Sequence, residues 1–526
     1  MQSETNSANA PHESDADFSA ADSLRRSKNA MIRVNAEIAI VGAGFAGSLL
    51  ALVLHQLHRK PVLLEQGRHP RFAIGESSTP LANLSFEKLC RTYDLPRLTP
   101  LSKYGSWQQT YPELACGLKR GFSFFRHHLR QEFAPQIDHA NELLVAASPA
   151  DAVGDTHWFR EQFDHFLAQE AQAAAIPYFD QTQITAITRD RGWLLRGVRA
   201  EQEIEVKARF LVDASGPASV VARELGIDCR PWGLRTNSWA VYSHFAGVEF
   251  WENLFAQSGG KPADHPFHCD DAALHHVLDH GWMWVLRFNN GLASAGFVFN
   301  EAKQACRNSP PPEAIWKNAL ASYPAIARQF SAARAVRPLI RTERLQRRAK
   351  QVAGADWAML PHSAYFIDPL LSSGIAHTLL GIERLARIFE RHWERPSFYE
   401  QWPEYEATLQ REIDFVDQLV HGCYRAFDHF ALLAVFTMYY FAGAIYSETR
   451  RRQGNASPQD EFLFSHHAPF RAAVSQGYQK LLHLSKNQSL ATDALIAYRR
   501  QVAADIAPYN LAGLCDPSKQ NLYPFV

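Results

Sequence analysis

Three glycines at a fixed spacing are the residues with the clearest chemistry in this sequence. Gly42, Gly44 and Gly47 lie between an apolar run that predicts a buried strand, Glu37–Val41, and a run that predicts a helix, Ser48–Leu57. In such a turn the first glycine permits the tight bend, the second lets a pyrophosphate approach the backbone, and the third lets the helix pack on the strand. Free N–H groups at the helix N-terminus face the phosphates. The spacing predicts a dinucleotide-binding unit, and an ordinary βαβ turn is the alternative.

An acidic residue completes this unit. The short apolar strand Pro61–Leu64 ends at Glu65, about 20 residues after the first glycine, where a ribose-binding acid is expected. A later strand, Arg209–Asp213, leads through Gly216 into a predicted helix, Ala218–Leu225, without repeating the glycine spacing. One large nucleotide site therefore fits better than separate sites for FAD and NAD(P).

Hydrophobic periodicity predicts the elements around the nucleotide site. A helix is expected over Trp158–Ala173, residues 240–300 are expected to be rich in strands, and helical spacing dominates from Gly381 onward. Further strands are expected at Gln183–Thr188, Trp193–Gly197 and Glu203–Val206. The order of these elements predicts an α/β fold with a Rossmann-like domain.

Composition limits the class of protein. The 526 residues carry 54 Lys+Arg and 54 Asp+Glu, so the chain lacks the basic excess of an electrostatic nucleic-acid binder. Seven cysteines form no C-x-x-C pair, which favours a reducing, cytoplasmic location. Residues 1–33 are predicted to be a disordered tail. The uncharged run Phe430–Tyr446 is interpreted as a buried helix, with a membrane span as the alternative.

Five segments together resemble a known family. They are VGAGFAGSLLA (41–51), PRFAIGESSTP (70–80), ARFLVDASGP (208–217), GWMWVLRFNN (281–290) and FIDPLLSSGI (366–375). They look like the FAD-dependent halogenases that act on phenolic or pyrrolic rings, relatives of the tryptophan halogenases within the para-hydroxybenzoate-hydroxylase-like flavin monooxygenases. The resemblance implies a Rossmann-like FAD-binding domain, interleaved with a β-rich substrate domain over residues 34–385. A helical C-terminal region is expected over residues 386–526.

The resemblance also implies a reaction. Reduced FAD, supplied by a separate flavin reductase, reacts with O2 to give a C4a-hydroperoxide. Chloride or bromide attacks the distal oxygen, and the hypohalous acid moves to a lysine beside an electron-rich aromatic. The expected partners are therefore the reductase, the halide and a small or carrier-protein-bound aromatic; neither a nucleic acid nor stable membrane insertion is expected.

Lys119 matches the halogenase lysine. Read as one strand, its segment places Lys119, Gly121 and Ser123 on one face, and Leu118, Arg120, Phe122 and Phe124 on the other. Small neighbours leave room for an oxidant or a flat ring. A lysine with an apolar-lined stem could hydrogen-bond the oxidant or, with a depressed pKa, act as a nucleophile. The alternatives are that Lys119 is an exposed lysine on an edge strand, and that Lys103 fills the role.

The resemblance assigns further residues to the cofactor and the halide. Those expected at FAD are Gly42, Gly44, Ala46, Gly47, Glu65, Ser77, Arg160, Asp213, Gly216, Asp368 and Ile375. Ser373 and Gly374 are expected at the halide. Arg160 could instead form a surface pair with Asp164. Leu371 replaces a glutamate of the tryptophan-type enzymes, which argues against tryptophan as substrate.

Two features qualify the resemblance. The W-x-W-x-I-P signature of halogenases becomes Trp282-Met283-Trp284-Val285-Leu286-Arg287, which leaves aromatic hydroxylation open as an alternative. A flavoprotein that matures or partners another protein is the third candidate. Six residues cluster before this signature with a spacing that does not fit a standard zinc site, so no metal is expected: His265, His268, Cys269, His275, His276 and His280.

Overall fold

The structure is a computed structural model that describes residues 31–306, 310–455, 457, 461–487 and 490–526. Most of the predicted tail, residues 1–30, lies outside the described residues. The first strand begins at Ile32, so Ile32 and Arg33, which were assigned to the tail, belong to a sheet.

Parallel strands form the centre of an eight-stranded sheet. Ile32–Val41 lies between Gln202–Asp213 and Pro61–Leu64 and is parallel to both. The other members of this sheet are Tyr178–Phe179, Thr182–Arg189, Trp193–Arg199, Ala353–Gly354 and Trp357–Met359. Strands buried on both faces appear as continuous apolar runs, which is why the sequence predicted the central ones. The two strands expected at 203–206 and 209–213 are one continuous strand.

A nine-stranded, mostly antiparallel sheet forms the second layer. Its strands are Gly121–Arg126, Glu142–Ala146, Ser238–Ala246, Ala273–Val277, Gly281–Arg287, Leu292–Asn300, Arg334–Ala335, Ile340–Arg341 and Leu522–Tyr523. The predicted β-rich stretch supplies its centre. The C-terminal strand pairs with Glu142–Ala146, so the region expected to be helical also contributes an edge to this sheet.

Two short ribbons connect the layers. Cys116–Lys119 pairs with Asp155–Trp158, and Arg347–Arg348 pairs with Tyr365–Phe366. The predicted helix at 158–173 is therefore wrong at its start, because Trp158 ends a strand and the helix begins at Arg160. His275 and His276, two members of the histidine-rich cluster before the tryptophan motif, lie in a strand.

The α-helices cover the sheets and build the C-terminal region. Those of the described residues are Phe45–Gln56, Pro80–Thr92, Tyr104–Thr110, Arg160–Ala173, Val220–Glu224, Trp251–Gln257, Pro312–Ser322, Pro324–Gln329, Pro361–Ala364, Ser373–His392, Gln401–Ala426, Phe430–Arg452, Ala468–Leu484 and Thr492–Ile506. The helix predicted at 218–225 is shorter, since a 3-10 turn, Gly216–Ala218, precedes it.

The most apolar helix, Phe430–Arg452, is called the cap helix. Its length and composition would allow it to cross a membrane, with a mean hydropathy of 1.6 over its best window, but 78% of that window is buried inside the protein. It packs on Pro80–Thr92 and on its neighbours in the C-terminal region. The predicted burial of this run is confirmed.

Candidate active site

The glycine turn has two positions that only glycine can occupy and one where a methyl group would meet no clash. Gly42 has a φ of +104°, and a methyl group there would lie 2.3 Å from the carbonyl oxygen of Ala214. A methyl group at Gly47 would lie 1.9 Å from the carbonyl oxygen of Gly42. At Gly44 the nearest atom to such a methyl group is an Asp164 oxygen at 3.4 Å. A methyl group at Gly44 would therefore make ordinary van der Waals contact with polar side chains and clash with none of them.

The helix after this turn begins without a side-chain cap. The N–H groups of its first turn, including that of Ala46, receive no side-chain acceptor at the N-cap position, Gly44. Such a terminus attracts phosphate through its N–H groups and its dipole.

Glu65 is held beside the turn as an ionised group. Its Oε2 accepts hydrogen bonds from the Ala43 N–H at 2.9 Å and from Arg71 at 3.1 Å. Burial alone would raise the pKa of Glu65, but Arg71 and the N–H groups of Ala43 and Gly67 outweigh burial and hold this pKa below its usual value. A carboxylate in this state can accept hydrogen bonds from ribose hydroxyls, and its contact with the cofactor stays a prediction.

Arg160 forms the predicted pair with Asp164, but the pair is buried rather than on the surface, and contact of Arg160 with FAD stays a prediction. It forms a bidentate pair with Asp164 at 2.7 and 2.8 Å. It also donates to the carbonyl oxygens of Ile74 and Gly75 at 3.0 and 2.9 Å. One of its terminal nitrogens lies 3.8 Å from the methyl position at Gly44. The pairing orients the guanidinium beside the glycine turn, where the pyrophosphate is predicted to bind.

Asp213 orders the second turn through the backbone. Its Oδ1 accepts from the N–H of Ser215 at 2.9 Å, and its Oδ2 accepts from the N–H of Val221 at 2.8 Å. Gly216 has a φ of +63° and donates its N–H to Ser363 Oγ at 2.9 Å. These contacts fix the shape of the turn, whereas direct contact of Asp213 or Gly216 with FAD stays a prediction.

A second open helix N-terminus carries the predicted halide residues. The helix Ser373–His392 follows Ser372, which has a φ of 49° and provides no side-chain cap. Around Gly374 no atom lies within 4 Å of the methyl position, while Ile375 is buried. Unsatisfied N–H groups next to open space suit an anion or a flavin carbonyl.

FAD fits the residues that these two termini present. Each helix begins with N–H groups that lack a side-chain cap, beside Gly44 in one and Gly374 in the other, and the position at Gly374 faces open space. The first suits the phosphates of a dinucleotide, and the second suits a flavin ring with a halide beside it.

Asp368 lies where the second terminus meets the β-rich layer. Its carboxylate accepts from Ser238 Oγ at 2.8 Å, from the Tyr424 hydroxyl at 2.7 Å and from the Leu370 N–H at 3.1 Å. Burial raises the pKa of Asp368 to about 6 despite these hydrogen bonds. Both oxygens are thus held by protein groups, and the predicted contact with FAD stays a prediction.

Lys119 is fully buried, which excludes the alternative of an exposed lysine on an edge strand. Its relative exposure is 0%, and its Nζ donates to Ser77 Oγ at 2.9 Å and to the Ser78 carbonyl oxygen at 2.6 Å. By contrast, Lys103 has a 38% exposed side chain that is paired with Glu87 at 3.4 Å. Lys103 therefore lacks the buried environment that surrounds the amine of Lys119.

The prediction that Phe122 and Lys119 lie on opposite faces of one strand is wrong. The chain leaves one sheet and enters another at Arg120, because Cys116–Lys119 and Gly121–Arg126 are separate strands. The alternation of side chains is interrupted there, and the Phe122 ring lies 4.0 Å from Lys119 Nζ. The lysine consequently faces an aromatic ring that the sequence placed on the opposite side.

Two acidic residues that sequence reasoning missed surround the lysine. Asp155 is directly opposite Lys119 in the ribbon; its Oδ1 accepts from Asn83 at 2.7 Å, and its Oδ2 is buried without a partner in the described residues. Glu448 comes from the cap helix. Burial lowers the pKa of Lys119 to about 7, against the opposing effect of these two carboxylates. The only signal in the sequence for Glu448 was an acid at the end of an apolar helical run.

Aromatic side chains enclose the same region. The Phe122 ring meets Tyr440 and Phe441 of the cap helix edge-on, with centroids 5.9 and 5.4 Å apart. His275 stacks on Phe124 at 4.3 Å, and burial lowers its pKa to about 3, so it is neutral. Leu371 is buried, and its carbonyl oxygen accepts from the Tyr440 hydroxyl at 2.7 Å.

In the strand that carries the altered tryptophan motif, the side chains that face the protein core are still apolar. Trp282, Trp284 and Leu286 belong to the core shared with the flavin module and the cap helix. Arg287 points the other way, bonding to Asp270 at 2.8 Å and to the Val248 carbonyl oxygen at 3.0 Å. The departure from the motif at Arg287 therefore lies on the outer face of the strand.

This fold and this site define a flavin-dependent halogenase, with FAD as its cofactor. The sequence profile of the tryptophan halogenase family matches residues 146–429, more than half of the chain, and the protein belongs to that family.

Relatives and solved structures agree with this assignment. The chain is 28% identical to monodechloroaminopyrrolnitrin halogenase PrnC of Pseudomonas fluorescens, over 84% of this chain and 75% of that protein. It is 29% identical to tetracycline 7-halogenase of Kitasatospora aureofaciens, over 75% and 71% of the two chains. A crystal structure of halogenase PltM in complex with phloroglucinol and FAD superposes with a TM-score of 0.82 and 27% identity, covering 93% of this chain and 99% of that one.

Proposed function

We propose that this halogenase acts on a free, electron-rich phenolic ring and that Lys119 is its catalytic lysine. The observation that carries the proposal is the state of Lys119. Its amine is fully buried, hydrogen-bonded to Ser77 and Ser78, and has a pKa lowered to about 7 by burial. An amine of this kind can both donate a hydrogen bond to an oxidant and release a proton near neutral pH.

The surroundings of the amine support an uncharged aromatic substrate. Phe122, Tyr440 and Phe441 present ring faces and edges, and these pack well against a flat ring. Aromatic pairs of this geometry are worth about 0.5–1.5 kcal/mol beyond the burial of their area. A phenol has no charge that would need a partner in such a setting.

Two considerations favour a free phenol among the candidate substrates. Leu371 stands at the position of the tryptophan-type glutamate, so a tryptophan amine would have no carboxylate there. PltM, which shares the fold over nearly its whole length, has been crystallised with phloroglucinol, a free phenol. Pyrroles and a carrier-bound pyrrole are the competing substrates.

The chain's own residues prepare the site for chemistry. Bound FAD, once reduced, supplies the oxidising equivalent from O2. Ser373 and Gly374 offer N–H groups to a halide, while Ser77 and Ser78 hold the amine of Lys119 in place. Asp155, opposite the lysine, has a buried oxygen without a partner in the described residues and can take up the proton that leaves the ring carbon. Because a single dinucleotide turn is present, reduced FAD is proposed to come from a separate flavin reductase.

The test compares two lysines in the full-length enzyme. The reaction contains FAD, a flavin reductase with NADH, bromide or chloride, and phloroglucinol, simple phenols, pyrroles or a carrier-bound pyrrole, and products are read by mass. Lys119→Ala should lose halogenated product while NADH-dependent O2 consumption continues. Lys103→Ala, which removes a surface lysine, is the matched control and should keep the product.

Four results would contradict parts of the proposal. Equal product from Lys119→Ala and the native enzyme would remove Lys119 from the mechanism. Product only from the carrier-bound pyrrole would reject the free phenol. Hydroxylated product in the same amount with and without halide would favour the aromatic hydroxylase. Turnover with NADPH and this chain alone would contradict the separate reductase.

A further inference from the structure

Three metal-ligating side chains meet on the face of the nine-stranded sheet opposite Phe122. One ligand atom from each of Glu252, His265 and Cys269 lies within 4.8 Å of the other two. Cys269 packs in the core on that face, whereas Phe122 and the flavin module share a different core. This cluster is therefore separate from the halogenation site.

His265 is oriented as a metal-binding imidazole would be. Its side chain is 0% exposed, its Nε2 lies 3.0 Å from Glu142 Oε2, and its Nδ1 is buried without a hydrogen-bond partner in the described residues. When Nε2–H donates to the carboxylate, the Nδ1 lone pair is left free. A carboxylate behind a histidine in this way fixes the tautomer and strengthens the ligand. A buried polar atom without a partner calls for an explanation, and a bound ion is one.

Glu142 itself is held rigidly. It is fully buried and is also bonded to His139 Nδ1, so both of its oxygens are engaged by histidines. The orientation of His265 is thus set by protein contacts before any ion binds.

Glu252 joins the set from a helix, whereas Cys269 lies in the same loop as His265. Glu252 lies on the helix Trp251–Gln257, and its Oε2 accepts from the Cys269 N–H at 3.4 Å. His268, with a 40% exposed side chain, lies 3.2 Å from Glu252 Oε1 and marks the side open to solvent. The sequence showed no metal spacing because the acidic ligand comes from a helix more than ten residues upstream of the histidine-rich segment.

We propose that Glu252, His265 and Cys269 bind a zinc ion, with water or His268 as the fourth ligand. Zinc accepts thiolate, imidazole and carboxylate at about 2.0–2.3 Å in a tetrahedron, so its ligand atoms stand about 3.3–3.8 Å apart. The three ligand atoms lie within 4.8 Å of one another, so binding would draw the more widely separated atoms together to that range. On binding, the Cys269 thiol releases its proton to solvent and a Zn–S bond forms without any redox change. The ion would tie the helix Trp251–Gln257 to the loop that leads into the strand carrying His275.

The test measures zinc in the tag-free, full-length, FAD-loaded enzyme. After EDTA treatment and dialysis against zinc chloride, elemental analysis should find about one zinc per chain. His265→Gln and Glu252→Gln should each weaken zinc binding at least tenfold in competition with a chromophoric chelator. Cys229→Ser, which removes a half-buried thiol elsewhere, should bind zinc like the native enzyme.

Cobalt(II) gives a readout that does not depend on the stability of a variant. Bound to the native enzyme it should show a near-ultraviolet thiolate-to-cobalt charge-transfer band, and Cys269→Ser should bind cobalt without that band. The proposal is overturned if the native enzyme retains no stoichiometric zinc, or if the His265 and Glu252 variants bind zinc as tightly as the native enzyme. A cobalt complex that lacks the thiolate band in the native enzyme would also overturn it.

Discussion

Lys119 Nζ and Ser77 Oγ lie 2.9 Å apart, and Ser77 Oγ in turn accepts a hydrogen bond from Ser372 Oγ at 3.1 Å. Ser372 immediately precedes the helix whose first residues are predicted to hold the halide. A single hydroxyl thus joins the buried amine to the second open helix terminus. This relationship couples the position of the lysine to the helix terminus that is predicted to hold the halide.

Removing this hydroxyl should impair halogenation while flavin oxidation continues. Ser77→Ala deletes one hydrogen bond to Lys119, and a hydrogen bond of this kind contributes about 0.5–1.5 kcal/mol. Halogenated product per NADH consumed should fall about 2- to 10-fold. Ser77→Thr, which keeps the hydroxyl, should recover most of the product. Ser106→Ala, which removes a hydroxyl bonded to Pro100, is the control; an equal loss there would show that the effect is not specific.

Glu448 should make the stability of the enzyme depend on pH. Burial raises the pKa of Glu448 from 4.5 to about 8. Because the folded state binds this proton more tightly than the unfolded state, the contribution to stability is full below about pH 4.5 and is lost as the pH rises through 8. Glu448→Gln cannot ionise, so its melting temperature should fall less between pH 5 and pH 8 than that of the native enzyme.

Thermal melts of the FAD-loaded proteins across that interval check this expectation. Glu113→Gln, a change at an exposed position, should follow the native curve. A Glu448→Gln profile parallel to the native one would mean that Glu448 is already ionised at neutral pH in the folded enzyme. Lys119 acts in the opposite sense, since its pKa lowered to about 7 makes stability rise as the pH rises from about 7 toward 10.5.

Local patterns predicted the parts of the site that depend on short segments. The turn at Gly42, the strand Pro61–Leu64 and the strand ending at Asp213 follow from apolar runs next to glycines, because backbone geometry fixes them within a few residues. The resemblance pointed to Lys119 for the same reason, since the motif around it is contiguous.

Contacts made over long distances in the chain could not be predicted in this way. Asp155 faces Lys119 only because two short strands pair, and Glu448 reaches the same place from a helix more than 300 residues away. The change of sheet at Arg120 could not be predicted from the sequence either, since the residues on both sides of Arg120 have strand propensity. No periodicity encodes such pairings, which depend on tertiary packing.

The glycines of the first turn should respond differently to the same substitution. A methyl group at Gly44 would contact no atom closer than 3.4 Å, so Gly44→Ala should fold. The methyl group would occupy space proposed for the FAD pyrophosphate, and the Kd for FAD should rise at least about tenfold, or about 1.4 kcal/mol. Gly47→Ala, with a methyl group 1.9 Å from a backbone oxygen, should fail to fold or melt at a much lower temperature. FAD fluorescence titration and melting of the cofactor-free proteins separate these effects, and unchanged FAD affinity in Gly44→Ala would place the phosphates elsewhere.

Arg287 should contribute to stability without selecting between halogenation and hydroxylation. Its guanidinium bonds to Asp270, which is almost fully buried, and to backbone carbonyl oxygens on the outer face of the strand, away from Trp282 and Trp284. Arg287→Ala leaves Asp270 with fewer partners and should lower the free energy of unfolding by about 1–3 kcal/mol. The ratio of halogenated to hydroxylated product should stay at the native value, because the substituted side chain does not reach the inner face.

Urea unfolding measures the free energy of unfolding, and mass spectrometry measures the ratio of the two products, with Arg334→Ala at an exposed edge strand as the control. A shift toward hydroxylated product in Arg287→Ala would instead show that this departure from the tryptophan motif acts on the reaction itself.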